Sequence, residues 1–364
     1  MTRRDKNATA LVRDLLAWYS AHKRPLPWRD APAPYRVWVG EVMSQQTTLK
    51  VAVPRFEIFV ARLPDAAALA ACPEDVLRRL WAGLGYYARA RNLQKGARYV
   101  TDDLAGALPG TCAGWLDVPG CGPYTAAMVA SMCFGERVPA VDGNVVRVAS
   151  RLLGMAEGVW TKDGQARIRE FAAERVRLSD APGDFNQALM ELGATVCRKA
   201  RPACGSCPIA SACRAREDGA ADRIPQPRPR KAGVDTRVVC VVLLARGRVA
   251  LARRERGFLS GTVGFPVVTE GSREARDLLD ILGRIPGARI RAAQGAFRHT
   301  ITHHRIHGSI LVALLPARGS PRVVEAELGR ALGVSDFSWS NRAGVRDALG
   351  AALDRKALDL LEAP

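Results

Sequence analysis

The chain has 364 residues, enough for two or three domains with buried cores. Lysine and arginine outnumber aspartate and glutamate by 54 to 36, and the net charge of +18 indicates a polyanionic partner, nucleic acid before an anionic membrane. A merely solvated basic surface is the alternative. No apolar run approaches the roughly 20 residues of a membrane span, and the N-terminus lacks a signal-peptide pattern, so we expect a cytoplasmic protein.

Residues 1–215 are predicted to be almost entirely helical. Apolar residues recur there at helical spacing, with short Gly/Pro breaks between the periodic stretches. Clear examples are TALVRDLLAWY, VLRRLWAGL, IREFAAERVRL and FNQALMELGATV. Asp65 and Asp184 are expected to be N-caps of two of the predicted helices.

The segment VPGCGPYTAAMVAS, residues 118–131, predicts a tight hairpin between two helices that together span about 111–134. Pro123 suits the first position of the second helix. Gly120 and Gly122 would let backbone N–H groups approach a phosphate, and the helix N-terminus adds partial positive charge. The segment therefore predicts a binding site for the DNA backbone that carries no sequence specificity.

Two carboxylates stand in contrasting surroundings. Glu41 lies among apolar residues in VWVGEVMSQQT, and Asp142 adjoins Gly143 and Asn144 at a predicted helix start. An apolar pocket keeps a carboxyl protonated, whereas N–H donors at a helix start favour the anion. Such a pair can divide the hydrolysis of a glycosidic bond between a proton donor and an anion that stabilises the sugar cation.

Four of the nine cysteines fall within one short loop. Cys197, Cys204, Cys207 and Cys213 have the spacing C-x6-C-x2-C-x5-C, which suits a single tetrahedral metal ion or an iron–sulfur cubane. Zinc is the alternative to the cluster. The isolated cysteines at 72, 112, 121, 133 and 240 are expected to be small core residues.

The composition changes beyond the cysteine loop. Residues 216–233 are rich in arginine and proline and predict a semi-extended linker. Residues 234–364 predict a mixed α/β domain, with two strands joined by a tight turn at Arg246-Gly247-Arg248, a third strand at HGSILVALL, and helices at REARDLLDILGRI and RDALGAALDRKALDLL.

The order of the motifs carries a family resemblance. LPWR (26–29), EVMSQQT (41–47), GLGYYARARNL (83–93), PGCGPYTA (119–126), VDGNVVRV (141–148) and the cysteine loop occur in one order. Together they resemble the MutY-type adenine DNA glycosylases of the helix–hairpin–helix, or endonuclease III, superfamily. The resemblance implies a mostly α catalytic domain over 1–215 with a 4Fe–4S cluster loop, and a C-terminal α+β Nudix-like domain over 234–364 that recognises 8-oxoguanine.

The resemblance also implies roles for individual residues. Glu41 would protonate adenine N7 and Asp142 would stabilise the oxocarbenium ion, with Tyr124 beside it and Asn144 orienting water. Tyr124 occupies the position of the lysine that lets related enzymes cut the strand; a phenol cannot form a Schiff base, so base removal should be purely hydrolytic.

Further residues follow from the same resemblance. Trp28, Arg29 and Gln187 would border the extruded adenine, and Gln46 and Tyr86 would fill the gap left in the base stack. Ile301-Thr302-His303 stands where the family carries a Phe-Ser-His loop that recognises 8-oxoguanine. A metal site is the alternative for the histidines of this region, 299, 303, 304 and 307.

The chain departs from the family at several positions. Ser44 replaces the usual leucine and Gly40 is smaller than usual; we expect both to be tolerated. The run of glutamates that binds metal in Nudix hydrolases is missing, so pyrophosphate hydrolysis is not expected.

The expected partner is double-stranded DNA with adenine opposite 8-oxoguanine. We expect the protein to be a monomer and to be associated with a bacterial nucleoid. The alternatives are a G·T thymine glycosylase of the same superfamily and a catalytically inactive protein that binds damaged DNA.

Overall fold

The computed structural model describes residues 3–30, 32–229, 232–257, 259–301, 303–316 and 321–362, with side chains described for all of these except 3–6, 321–324 and 342. The chain divides into two compact units between Arg228 and Pro229. No helix in the described ranges is both long enough and apolar enough to cross a lipid bilayer.

The first unit consists of helices joined by short turns, which confirms the predicted fold class. The helices are α1 Arg3–His22, α2 Pro27–Asp30, α3 Pro34–Ser44, α4 Leu49–Arg62, α5 Ala66–Ala71, α6 Glu74–Leu80, α7 Ala88–Asp102, α8 Cys112–Asp117, α9 Pro123–Phe134, α10 Gly143–Leu152, α11 Lys162–Arg177, α12 Pro182–Thr195 and α13 Arg214–Glu217.

One of the two N-cap predictions is confirmed and the other is wrong. The Asp65 side chain accepts a hydrogen bond from the backbone N–H of Ala68 at 2.8 Å and caps α5. Helix α12 instead begins at Pro182 with Ala181 as its N-cap, so Asp184 lies inside the first turn. Proline favours the first helical position because it has no N–H to leave unpaired, and it sets the start of α12 earlier than expected.

Helix α9 separates two hydrophobic cores. One core gathers the buried indoles of Trp28, Trp38, Trp81 and Trp115 around α3. The other core packs α1, α10, α11 and α12 together. Helix α9 is buried along most of its length because it packs against both α3 and α12. The functional cavity described below draws its lining from both cores.

The segment predicted as a linker, 216–233, is held to the first unit at several points between Ile224 and Arg228. The buried Arg151 side chain donates to the carbonyl of Ile224 at 2.7 Å, and the Trp160 indole donates to the carbonyl of Gln226 at 2.9 Å. The guanidinium of Arg228 lies over the Trp160 ring, 5.7 Å from its centroid. The segment therefore continues the helical unit up to Arg228.

The second unit is a mixed sheet flanked by helices, which confirms its predicted α/β class. The strands are β1 Val234–Ala245, β2 Arg248–Arg254, β3 Val263–Gly264, β4 Val267–Thr269, β5 Arg289–Ala292, β6 Phe297–Ile301, β7 His304–Leu314 and β8 Val334–Asn341, and the helices are α14 Arg273–Gly283, α15 Pro321–Leu332, α16 Arg342–Ala348 and α17 Ala352–Glu362. The sheet order is β3-β2-β1-β7-β5, with β4 beside β1, β6 beside β7 and β8 beside β2.

Strands β1 and β7 form the parallel centre of this sheet, and their other pairings are antiparallel. The predicted turn between β1 and β2 is confirmed, because Ala245 pairs with Arg248 across a two-residue loop. Both loop residues, Arg246 and Gly247, have positive φ, at 51° and 71°. This backbone has the twist that tight antiparallel hairpins require.

A buried ion pair joins the sheet to α17. Arg254 and Asp354 pair side chain to side chain, with Asp354 fully buried, and Asp354 also accepts from the backbone N–H of Phe265 at 3.1 Å. A Cβ built on Gly264 would lie 2.4 Å from the Asp354 carboxylate, so glycine is required beside the pair. Removing one partner would leave the other charge buried and uncompensated.

We therefore expect Asp354→Ala to destabilise the second unit by about 3–5 kcal/mol, because Arg254 would lose its buried counter-charge. Urea unfolding followed by circular dichroism would measure the loss. Asp359→Ala, which breaks the exposed pair with Arg346 on the same helix, is the matched control and should leave the transition nearly unchanged. Equal effects of the two substitutions would contradict a structural role for the buried pair.

Candidate active site

A cavity of about 940 Å³ lies in the first unit, with walls from both hydrophobic cores. This volume is large enough for a nucleobase with its sugar. Its lining is formed by Arg24, Leu26, Trp28, Arg29, Glu41, Ser44, Gln45, Gln46, Thr47, Thr48, Leu49, Lys50, Tyr124, Asp142, Gly143, Asn144, Met190, Glu191 and Ala194. Both predicted catalytic carboxylates, Glu41 and Asp142, thus face one cavity.

Glu41 is a buried carboxyl on α3 held by two donors from other helices. The Trp28 indole of α2 donates to its Oε1 at 3.1 Å, and the Tyr124 hydroxyl of α9 donates to its Oε2 at 2.6 Å. Burial raises the pKa of Glu41 and outweighs these two hydrogen bonds, which lower it. The raised pKa favours a protonated carboxyl, the form that can donate a proton.

Gly40 lets the Trp28 indole reach Glu41. A Cβ built on Gly40 would lie 2.3 Å from the Trp28 ring, far inside van der Waals contact. The indole therefore packs flat against the backbone of α3, one residue before the glutamate. The small residue that departs from the family pattern has this steric reason.

Asp142 is the N-cap of α10, as its predicted place at a helix start requires. Its Oδ1 accepts from the backbone N–H of Val145 and its Oδ2 from the side-chain amide of Asn144, both at 2.8 Å. Arg147 in turn donates to the Asn144 carbonyl oxygen at 2.9 Å. These bonds fix the orientation of the carboxylate at the cavity wall.

The structure adds an acidic residue that the sequence reasoning missed. Glu191 on α12 is fully buried, and Arg24 and Arg29 both pair with it. Burial alone would raise the pKa of Glu191, but the hydrogen bonds and charges of the two arginines lower it on balance. Its only signal in the sequence is a single acid within the apolar stretch FNQALMELGATV.

The other predicted pocket residues lie at different places. Trp28, Arg29 and Gln46 line the cavity, whereas Gln187 does not. Gln187 is buried on α12, and its Oε1 has no hydrogen-bond partner among the described residues. Tyr86 is 60% exposed and stands outside the lining. The roles of all five remain predictions.

The hairpin before α9 has the exposed backbone that the glycines suggested. Gly120 has φ of 82°, and a Cβ there would lie 2.7 Å from Asn92. Both the backbone conformation and the lack of space therefore require glycine at this position. Gly122 is the N-cap of α9, is exposed, and has no heavy atom near its missing Cβ. The exposed glycine backbone of this hairpin is therefore open to a ligand, although Pro123, the first residue of the helix, offers no N–H.

The four loop cysteines line one small cavity. Cys197, Cys204, Cys207 and Cys213 surround it together with Arg151, whose guanidinium donates to the Cys197 sulfur at 3.2 Å. Across the described part of the chain, no three His, Cys, Asp or Glu side chains converge closely enough to hold a single metal ion. The four thiols therefore line a common small cavity, and they do not converge on one ion position.

The predicted lesion-recognition residues fall at the turn between β6 and β7. Ile301 ends β6 and pairs with His304, and the carbonyl of His303 accepts from the backbone N–H of Val234 at 2.9 Å. Thr302 lies outside the described residues. Ile301 also lines a cavity of about 100 Å³ beside Arg254.

Comparison with known proteins gives the family of the chain. A model described as the HhH-GPD superfamily of base excision DNA repair proteins matches residues 39–175. The adenine DNA glycosylase of Mycolicibacterium smegmatis is 36% identical over 228 residues, which are 62% of this chain and 76% of that protein. The adenine DNA glycosylase of Rattus norvegicus is 41% identical over 221 residues, 58% of this chain.

A solved thermostable thymine-DNA glycosylase is 27% identical with a TM-score of 0.54, over 60% of this chain and 100% of that one. The fold and the cavity thus define a base excision DNA repair protein of the helix–hairpin–helix superfamily. Given the extent of the mycobacterial match, the chain belongs to the adenine DNA glycosylase family. It spans about two fifths of the length of the mammalian relatives it matches.

We expect Glu41→Gln to stabilise the folded protein at neutral pH. The pKa of Glu41 is raised in the folded state, so ionisation opposes folding at any pH above the ordinary value near 4.3. Glutamine removes this penalty and should raise Tm by at least about 2–4 °C at pH 7.5, corresponding to roughly 1 kcal/mol.

Thermal unfolding of both proteins between pH 4 and pH 8 would measure the effect. The advantage of the glutamine variant should shrink as the pH falls towards the ordinary pKa of glutamate. Glu57→Gln, at an exposed position on α4, is the control and should show no such trend. A pH-independent difference for Glu41→Gln would contradict the raised pKa.

Proposed function

We propose that the chain is a monofunctional DNA glycosylase that extrudes adenine mispaired with 8-oxoguanine, or with guanine, and removes it by hydrolysis. The observation that carries the proposal is the buried Glu41, whose pKa is raised by burial, in one cavity with the helix-capping Asp142. The similarity to adenine DNA glycosylases supports adenine as the base.

Glu41 would act as the general acid. An adenine anion is a poor leaving group, so the departing base needs a proton at N7 as the bond to the sugar breaks. Burial raises the pKa of this carboxyl, which shifts it towards the protonated form that can donate. The Tyr124 and Trp28 donors would then stabilise the carboxylate formed after the transfer.

Asp142 would supply the negative charge for the developing oxocarbenium ion. Its two hydrogen bonds hold the carboxylate at the cavity wall, where an extruded sugar could lie beside it. Asn144, bonded to Asp142, would orient the water that attacks the sugar. This division between a proton donor and a fixed anion is the usual arrangement for hydrolysing a glycosidic bond.

Several features support DNA as the partner. The net charge of +18 favours a polyanion, and the exposed glycine backbone of the hairpin before α9, together with the positive end of that helix, suits a phosphate. N7 of an adenine and its glycosidic bond become accessible to an enclosed cavity only when the nucleotide leaves the duplex. Arg29 and Glu191, which are paired with each other, are polar groups that could contact the extruded base.

The β6–β7 turn with Ile301 and His303 would contact the 8-oxoguanine, with Thr302 between them. Ile301 offers apolar bulk without the aromatic face of the family's phenylalanine. We propose that the protein acts as a monomer.

The direct test is product analysis on duplexes with A·8-oxoguanine, A·G and G·T pairs, before and after alkali. We expect free adenine from the first two substrates and strand breaks only after alkali, because Tyr124 cannot form a Schiff base. Glu41→Gln should lower single-turnover release by about 10²–10⁴-fold with duplex binding retained, as expected for a lost general acid.

The alternatives give different outcomes. Release of thymine from the G·T duplex would identify a thymine glycosylase. Lesion binding without release of any base would identify an inactive damage-binding protein. Equal release by wild type and Glu41→Gln would remove Glu41 from the mechanism.

The four loop cysteines fit a 4Fe–4S cluster better than a zinc ion. Cysteine thiolates are the ligands of such clusters, and a cubane spaces its ligands more widely than one tetrahedral ion does. Cys197, Cys204, Cys207 and Cys213 line one small cavity together, as four ligands of one shared group would. When bound, the cluster would brace this basic loop against α10.

We expect about four iron atoms and no stoichiometric zinc per chain in anaerobically purified protein, measured by elemental analysis. Cys204→Ser should lose most of the iron and the visible absorbance. Cys133→Ser, at a half-buried position outside the loop, is the control and should keep both. One zinc ion per chain would contradict the cluster.

A further inference from the structure

Arg89, near the start of α7, binds two neighbouring loops with one guanidinium group. Its Nη1 donates to the carbonyls of Val42 and Met43, at 2.7 and 3.1 Å, and to the carbonyl of Gln45. These three carbonyls lie at the C-terminal end of α3 and just beyond it. The same side chain thus satisfies carbonyls that the end of a helix leaves unpaired.

The other nitrogen of the guanidinium reaches further along this loop and into a second one. Its Nη2 donates to the Thr47 hydroxyl at 3.1 Å and to the carbonyls of Leu84 and Gly85, at 2.9 and 3.4 Å. The Thr47 hydroxyl itself donates to the Leu84 carbonyl at 3.2 Å. Two connections therefore join the loop that follows α3 to the loop that precedes α7. One runs through the Arg89 guanidinium, and the other is the direct bond from Thr47 to Leu84.

Each of these loops carries an exposed residue with a strained backbone. Gln46 has φ of 55° and Tyr86 has φ of 45°, and neither is glycine. Such conformations cost of order 1–3 kcal/mol each and persist only where surrounding bonds enforce them. The bonds from Arg89 lie on both sides of Gln46, at Gln45 and Thr47, and just before Tyr86, at Leu84 and Gly85. Its guanidinium also lies 5.7 Å from the centroid of the Tyr86 ring.

The chemistry of this side chain suits the task. The acceptors of Arg89 are neutral carbonyls and a hydroxyl, and burial lowers its pKa, so holding the charge there is costly. A planar guanidinium can donate in several directions within one plane, whereas an ammonium group is a compact point donor. Lysine at this position could therefore hold one of the two loops but not both.

We propose that Arg89 is a positioning residue that holds Gln46 and Tyr86 as a rigid pair of probes for opening a base pair. The inference rests on the proposed function, because it assigns these residues to the step before the base enters the cavity. Gln46 lines the cavity and the 60% exposed Tyr86 projects from the adjoining loop. Rigid probes would replace the lost stacking without first paying an ordering cost.

The test compares Arg89→Lys with Arg98→Lys in the full chain. Arg98 lies on the same helix and donates to a single backbone carbonyl, that of Ala70, so it is a matched control. The substrates are a duplex with A·8-oxoguanine and a single strand carrying the same adenine. A 2-aminopurine beside the adenine reports unstacking by its fluorescence.

We expect Arg89→Lys to lower single-turnover release from the duplex by about 10- to 100-fold, the effect of a misplaced positioning group. Release from the single strand, which needs no base-pair opening, should change by less than about threefold. The 2-aminopurine signal on duplex binding should fall in parallel. Arg98→Lys should match wild type on both substrates.

Coupling to the probes separates this role from a general structural one. In a Gln46→Ala/Tyr86→Ala background, Arg89→Lys should have little further effect, because the groups it positions are already gone. Thr47→Val, which removes one acceptor and one tie between the loops, should lower the 2-aminopurine signal on duplex binding in the same direction as Arg89→Lys, by a smaller amount. It also serves as the test if Arg89→Lys does not fold.

Equal losses on duplex and single strand, or full additivity with the probe substitutions, would overturn the proposal. Its failure is distinguishable from failure of the proposed function. If wild type releases no adenine, the 2-aminopurine signal on bound duplex still allows wild type to be compared with Arg89→Lys, Thr47→Val and Arg98→Lys. An unchanged signal for both Arg89→Lys and Thr47→Val would reject the positioning role.

Discussion

A carboxyl group buried inside a helical core, with its pKa raised by that burial, is the constraint on which the first unit depends. Ionising Glu41 in this environment would cost several kcal/mol in lost hydration unless a buried counter-charge met it. The residues within hydrogen-bonding distance, Trp28 and Tyr124, are instead neutral donors. Because they belong to α2 and α9, three helices must keep their relative positions for one carboxyl to stay correctly placed.

The cavity assigns opposite electrostatic states to its acids. Glu191 is held as an anion by two arginines and Asp142 serves as a helix cap, while Glu41 is buried with two neutral hydrogen-bond donors and has a raised pKa. The charge of Asp142 raises the pKa of Glu41 a little further. Neighbouring carboxyls with different environments are a general means of obtaining an acid and an anion from the same chemical group at one pH.

Local rules explain what the sequence could predict. Periodicity identified the helices, and residue type identified Asp142 as a cap and Arg246-Gly247 as a turn, since each depends on residues nearby in the chain. The partners of Glu191 lie 162 and 167 residues away, so its pairing depends on how α12 packs. The same holds for the segment before Pro229, whose bonds to Arg151 and Trp160 its composition does not reveal.

The indole of Trp28 resting on Gly40 has a consequence for how this protein can evolve. Each other amino acid at position 40 brings at least a Cβ, and that atom would overlap the ring. The aromatic residue would then have to shrink or move, and Glu41 would lose a donor. A substitution at position 40 therefore requires a compensating change or shift at position 28.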